Sequence, residues 1–298
     1  MTSFPFSLSR LRLIPLGALV FSLAIASAIF GAEKKFEFPD PSQHATLTQR
    51  VGLTDVSIDY SRPDMRGREI FGGLVPYGQV WRTGANAPTK LKFSEAVKIG
   101  GQDVPAGEYA FYTIPNENEW TIILSKNTKL WGAYGYKPDA DELRVQVKPT
   151  TLANPVETFT ISFDDLKDDG ATIALEWDKT RVPVELTTNT IEKVNAEISD
   201  GLKDPKSLKP IFYYQAASFY YDHDKDPETA LKWVDQAIGK QQPPRYFLYY
   251  KKAQIEAKLG HNAEAKAAAE KSIELLKAGK TPDPTAIRNS QLLIDGLH

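Results

Sequence analysis

The chain has 298 residues, 42% hydrophobic and 25% charged, with a formal net charge of −2 and no cysteine. That length suits about two domains, and the composition excludes disordered and collagen-like chains. The small net charge leaves no basic excess for nucleic acid and no polybasic run for a membrane surface. Without thiols there are no disulfides, no thiolate catalysis, no cysteine-held zinc and no lipidated cysteine anchor.

The N-terminus has the pattern of an export signal. Arg10 and Arg12 precede an uncharged, Leu-, Ala-, Ile- and Phe-rich stretch from Leu13 to Ala32, and the first acidic residue is Glu33. Ala26 and Ala28 supply the small-x-small cleavage pattern, so residues 1–28 are expected to be a signal peptide cut between about 28 and 32. The alternative is an uncleaved anchor, since about 20 apolar residues can span a bilayer, and only then would the protein meet a membrane. Either way the expected location is exported, periplasmic or cell-envelope.

From about residue 40 to 188 the hydrophobic period is two. Val56, Ile58 and Tyr60 alternate with polar residues, and so in turn do Leu91 and Phe93, then Tyr109, Phe111 and Thr113, then Trp120, Ile122 and Leu124. Leu143, Val145 and Val147 continue the pattern, followed by Phe159, Ile161 and Phe163, then Ile173, Leu175 and Trp177, and lastly Val182, Val184 and Leu186. Turn signals fall between the runs at Gly100-Gly101, Pro105 to Gly107, Pro115-Asn116 and Asp168 to Gly170. Many short strands at this spacing predict an antiparallel β-sandwich of jelly-roll type.

Within this region, Tyr60 to Asn86 reads YSRPDMRGREIFGGLVPYGQVWRTGAN, an arginine- and aromatic-rich block broken by glycine and proline. Together with KIGGQDVPAGEYAFYTIP, EWTIILSK and WGAYGY, it resembles the bacterial "domain of unknown function 2911" over about Ala45 to Leu186. The resemblance implies an exported bacterial protein with a β-rich fold, and it brings no catalytic residues with it. The C-terminal helical tail is an addition to that domain.

The block also holds the candidate site. On a strand, Val80 and Arg82 share one face while Trp81 and Thr83 share the other. Either Trp81 fills the core and Arg82 is presented outward, or Arg82 is buried against a carboxylate. A guanidinium is a rigid fork suited to carboxylate or phosphate, and Arg62, Arg66 and Arg68 could join Arg82 around one anion. The structural alternative pairs them with Asp59, Asp64 and Glu69 to pin an irregular loop. Asn86, before Ala87-Pro88, reads as a turn residue as much as a ligand. Tyr77, Trp81, Trp131, Tyr134 and Tyr136 sit in glycine-flanked contexts, and flat rings beside polar forks suit sugars, although most aromatics of a sandwich are core.

Catalytic readings are thinner. Asp59, Asp64, Asp164 and Asp165 are available for a glycan hydrolase, but no spacing singles out a pair. His44, His223, His261 and His298 are scattered. Asp222, Asp224 and Asp226 mimic a calcium loop that fails at Pro227 and Trp233, so no metal or other cofactor is expected. Neither a nucleophile elbow nor a phosphate-binding loop is present.

From residue 189 to the end the period is helical. Ile191, Val194 and Ile198 share a face, Leu208 to Tyr221 is aromatic-rich, and Asp226-Pro227 opens a helix running to about Gly239. After Pro243-Pro244 the pattern predicts helices to about Leu259, from Ala263 to about Ala278, and from Pro284 on. Ala217, Ala230 and Ala237 recur as Ala253, Ala265 and Ser272, near the period of about 34 residues of a tetratricopeptide helix pair. Tyr220 stands where such a repeat has an aromatic, and Glu256 takes its place in the second copy. The aromatic surplus of this tail is either packing or a groove for a protein partner. Taken together, the sequence suggests a binding or scaffold module for a small anionic or sugar-like ligand rather than an enzyme. The alternatives are an envelope glycan hydrolase and a purely structural envelope protein.

Overall fold

A computed structural model describes residues 1–2 and 38–297. The expected signal segment, with Ala26 and Ala28, and His298 lie outside the described residues. No helix among the described residues is long and apolar enough to cross a membrane.

Ten strands come first: β1 (Gln43–Val51), β2 (Thr54–Arg62), β3 (Thr89–Phe93), β4 (Val97–Ile99), β5 (Gln102–Val104), β6 (Gly107–Ile114), β7 (Trp120–Ser125), β8 (Asp141–Val147), β9 (Thr150–Lys167) and β10 (Gly170–Thr188). They form a six-stranded sheet in the order β1-β2-β3-β6-β7-β8 and a four-stranded sheet in the order β5-β4-β10-β9. Every strand pairing in both is antiparallel. The alternating residues named from the sequence point between the sheets. Ile58, Leu91, Phe111, Ile122, Phe159, Ile173 and Val184 are all buried in one core. This is a sandwich, as the period of two requires.

Three details differ from the expectation or refine it. The two runs ending at Trp177 and Leu186 are a single 19-residue strand, β10. Asp178 at φ 51° and a register shift on either side of it bulge the strand, which re-aims the second run without ending the pairing. Strand β1, which has no strong apolar signature, is an edge strand with mostly exposed or half-buried residues. Beyond β2 the chain keeps pairing with β9: Met65 N donates to Glu157 O at 2.8 Å and Phe159 N to Pro63 O at 2.8 Å. The start of the arginine block therefore ties one sheet to the other.

Six helices follow: α1 (Thr190–Gly201), α2 (Pro210–Asp222), α3 (Pro227–Lys240), α4 (Tyr246–Lys258), α5 (Asn262–Ala278) and α6 (Pro284–Asp295). Asp226 caps α3 as its sequence position suggests, accepting from the backbone N–H groups of Glu228 and Thr229 at 3.1 and 3.3 Å. Ala217, Ala230, Ala237, Ala253, Ala265 and Ser272 are all fully buried, so the recurring small residues lie where helices approach closely. The helices meet the sandwich through α1 and the end of α2. Leu53 N donates to Thr190 Oγ1 at 3.1 Å, Lys193 pairs with Glu95 at 2.9 Å, and His223 lies 3.2 Å from Asp168.

Glu256 and Tyr220, which the expected repeat would set in equivalent places, have different kinds of partner. Tyr220 meets the Trp233 ring at 4.6 Å, whereas the Glu256 carboxylate, 6% exposed, meets His261 Nδ1 at 2.8 Å. That hydrogen bond, more than the nearby charges of Glu256, Glu264 and Glu228, raises the pKa of His261 above 6.5. A histidine whose pKa is raised by folding stabilises the fold fully below its unfolded value, and the contribution disappears as pH rises through the folded value. The melting temperature of the helical part is therefore expected to fall as pH rises from the ordinary histidine value of about 6.5 through the raised value in the fold. Thermal melts of His261→Gln should lose that component. An unchanged pH profile in the variant would show that the pair contributes nothing.

Candidate functional site

The chain from Tyr77 to Asn86 runs along the end of β6. Trp81 forms a two-way backbone bridge with Thr113 (N to O at 2.7 and 3.0 Å), which fixes the direction of successive side chains. Trp81 points inward and is 8% exposed. It stacks on Trp177 at 5.8 Å and 16° and meets Phe159, Phe71 and Trp120 edge-on at 5.2, 6.0 and 6.4 Å. Arg82 points the other way, to the outer face of the six-stranded sheet. Of the two arrangements the strand parity allowed, the one with Trp81 inside holds.

The backbone that follows is strained and heavily determined. Thr83, Gly84 and Asn86 have φ of 53°, 149° and 59°, a region β-branched residues rarely enter. Four side chains hold the corner. Trp81 Nε1 donates to Gly84 O at 3.1 Å, Thr89 Oγ1 to Thr83 O at 2.5 Å, Thr83 Oγ1 to Thr113 Oγ1 at 3.1 Å, and the Asn86 amide to Ser61 Oγ at 3.2 Å. Asn86 is thus engaged as a turn residue.

The four arginines of the block do not converge. Arg62 donates to Phe159 O at 3.1 Å and Thr160 Oγ1 at 2.8 Å, joining the two sheets. Arg68 donates to Met65 O at 2.9 Å and Asp64 O at 2.6 Å, closing its own turn. Arg66 reaches Pro41 O at 3.0 Å and the Asp64 carboxylate at 3.6 Å. Of the carboxylate pairings weighed for these three, only Arg66 with Asp64 forms; the other two cap carbonyl oxygens. Arg82 differs from them. Its side chain has no hydrogen-bond or carboxylate partner among the described residues, and its Nε is buried and unbonded.

What covers Arg82 is the glycine-rich connection between β7 and β8, residues 126–140. Leu130, Ala133 and Tyr136 of this loop pack with Val80 and Ile114 on Ala110, Tyr112 and Ile123, a second small core outside the sheet. Gly132 and Gly135 have φ of 62° and 76°. A Cβ on Gly132 would lie 3.7 Å from Arg82 Cδ, so the loop rests on the arginine stem. Trp131 and Tyr134 project from the loop, 67% and 79% exposed. Tyr136 turns inward instead. Its hydroxyl donates to Asp141 Oδ2 at 2.6 Å, Arg144 Nε donates to the same oxygen at 2.6 Å, and the Arg144 guanidinium also donates to the Tyr136 hydroxyl. Burial and then the Asp141 hydrogen bond push the Tyr136 pKa up to about 12, so Tyr136 remains a donor at all ordinary pH. Tyr77 stands apart, beside the β6–β7 turn. It is packed on Gly72 and lines a narrow cavity of about 90 Å³ with Phe71, Asn116, Glu117 and Trp120. Burial first, and the charges of Glu117 and Glu69 after it, raise its pKa.

Tyr112, Asp141 and Arg144 belong to this site and were not singled out from the sequence. The signal was the parity of AFYTI and TIILS: Tyr112 and Ile123 are apolar on the face opposite Phe111 and Ile122, which marks strands covered on both sides. The candidate acids are individually engaged. Asp59 pairs with His44 at 2.9 Å, Asp64 accepts from Thr158 at 2.8 Å, Asp164 from Arg181 at 2.6 Å and Asp165 from Thr172 at 3.0 Å. No three potential metal ligands come together among the described residues.

No curated protein and no solved structure matches the chain. One family model does, over residues 42–186, which takes in β1 through most of β10, the arginine block and the loop above Arg82. The matching model, which covers the β-rich part of the chain, is described as "protein of unknown function (DUF2911)".

Proposed function

We propose that the protein is a non-catalytic binding module of the cell envelope, whose sandwich takes a small anionic or sugar-like ligand on its outer face at Arg82. The observation that carries this is the contrast among four arginines: three are satisfied by the protein and Arg82 is not. A guanidinium without an internal partner beside two exposed rings suits a carboxylate on a flat, partly apolar ligand. The binding reading is preferred to a glycan hydrolase because each candidate carboxylate already bonds a neighbouring side chain. The helical part is proposed to carry the contact with a protein partner, supported by the exposed Ile211, Tyr246 and Leu292 on α2, α4 and α6.

Calorimetric titration of the protein with small carboxylic acids and acidic sugars tests the site. Binding is expected to weaken by about tenfold or more in Arg82→Gln, the loss of one charge-assisted contact. In Arg62→Gln it should change only in proportion to any loss of folded protein. If Arg82→Gln binds as well as the parent, or if none of these compounds binds, the site is not here.

A further inference from the structure

Tyr77 lines an open cavity of about 420 Å³ beside the β6–β7 turn. The turn supplies Asn116, Glu117, Asn118 and Glu119 to its walls, and the adjoining strands supply Thr121 and Gln146. The volume lies within the range of about 300–1,000 Å³ of small-molecule sites. The 90 Å³ cavity described above shares Tyr77, Asn116 and Glu117 with it. Thr121 is two residues from Ile123 along β7, so the cavity opens on the outer face of the six-stranded sheet. The ring of Tyr77 is fixed there. Gly78 N donates to Pro115 O at 2.9 Å, and Leu74 N and Val75 N donate to Glu69 O and Ile70 O at 3.0 and 2.8 Å. A Cβ on Gly72 would lie 3.0 Å from the nearest ring atom, so one side of the ring rests on backbone. The ring is 39% exposed where it lines the cavity.

The polar lining is uncommitted. No side chain from Asn116 to Glu119 has a hydrogen bond or ion pair among the described residues. Gln146 Oε1 accepts from Thr121 Oγ1 at 3.1 Å, which leaves the Gln146 amide free to donate. No lysine, arginine or histidine lines the cavity among the described residues. We infer that this cavity binds an uncharged sugar, with the C–H face of its ring stacked on Tyr77. Carboxylates only accept, whereas amides and the phenol both donate and accept. Sugar hydroxyls do both, so one ring answers the acids, the amides and the aromatic face together. Two carboxylates without a cation repel an acid, so the ligand differs in charge from the one proposed at Arg82. An amine would engage the carboxylates and leave the amides to water. The inference goes beyond the Arg82 site and does not depend on it.

Saturation-transfer NMR titration of the full chain with glucose, galactose, mannose and N-acetylglucosamine tests this, with glucosamine as the charged counterpart. At least one of the four neutral sugars is expected to bind, and more tightly than glucosamine. Tyr77→Ala should weaken that sugar by about tenfold or more, and Tyr77→Phe, which keeps the ring, by about threefold or less. Should Tyr77→Ala fail to fold, the double variant Glu117→Ala, Asn118→Ala decides. Both of its residues are exposed, so the melt should be unchanged while sugar binding falls by about tenfold or more. If none of the four sugars binds, or if binding survives in a folded Tyr77→Ala or in the double variant, the inference is overturned. Glucosamine bound more tightly than every neutral sugar would make this a cation site and overturn it as well. None of these outcomes touches the Arg82 reading, which is tested with acids and with Arg82→Gln.

Discussion

Trp81→Ala is expected to destabilise the sandwich by about 3–5 kcal/mol, whereas Arg82→Ala one residue on should change stability by less than about 1 kcal/mol. The two side chains leave the same strand segment in opposite directions, so the comparison holds local backbone nearly constant. Trp81 is at the centre of a cluster of four aromatic partners, with ring centroids 5.2 to 6.4 Å away. Removing it leaves a large cavity lined by Phe71, Trp120, Phe159 and Trp177. The substitution also takes the indole donor from Gly84 O, and an orphaned buried carbonyl costs about 1–3 kcal/mol more. Against a total stability of about 5–15 kcal/mol this loss is large. Arg82→Ala removes no internal bond and relieves one unmet buried atom. Urea denaturation followed by circular dichroism measures both midpoints. Comparable losses in the two variants would restore the other arrangement, in which Arg82 is a structural pin.

The inner half of the sandwich was legible in the sequence because period-two alternation reports directly on which face is buried. Each alternating run from Val56 to Leu186 lies in a strand facing the core. The one strand misdivided, β10, was misread for a local reason. Asp178-Lys179-Thr180 resembles a turn in composition, and only pairing with β9 through a bulge keeps it within a strand. The outer half was not legible in the same way. Loop 126–140 covers the far face of β6 and β7 through contacts among Leu130, Tyr136, Tyr112 and Ile123, which are distant in sequence and carry no period. The sequence could narrow Arg82 to two arrangements. It could not show that Arg62 and Arg68 are capped by carbonyl oxygens, because a backbone acceptor leaves no trace in residue identity. Charge counting therefore offered four candidate ligands, of which one is free of internal partners among the described residues.

The division of labour within the arginine block follows from that capping. Arg62, Asn86 and Thr89 fix irregular backbone beside the buried residues Phe159, Ser61 and Thr83, and Arg68 closes its own turn at the surface. Fixing it places residue 81 in the core and residue 82 beneath the loop. The same fixing holds Arg82 in a defined position, and pre-organisation of this kind is what the proposed ligand site would need.

Gly52→Ala is the substitution expected to separate the two parts of the molecule, at a loss of about 3 kcal/mol or more. Gly52 occupies the two-residue turn of the β1–β2 hairpin, where Val51 pairs with Thr54, and has φ of 56°. A Cβ there would lie 2.0 Å from Thr190 Oγ1 and 2.1 Å from Asp168 O. The first cannot be accommodated without moving the first turn of α1 away from the sandwich, and the second requires the β9–β10 turn to shift as well. That movement breaks the Leu53 N to Thr190 Oγ1 bond and the 2.8 Å contact between the Thr188 and Thr190 hydroxyls. Gly101 is the control: at φ of 80° with open space around its Cβ position, Gly101→Ala carries backbone strain alone, about 1 kcal/mol. Thr190→Ala in the Gly52→Ala background should recover only part of the loss, because the clash with the Asp168 carbonyl remains. Calorimetric melting of Gly52→Ala should resolve into two transitions, with new proteolytic sensitivity near residue 189. A single unshifted transition would mean that the helices are held to the sandwich by something other than this contact.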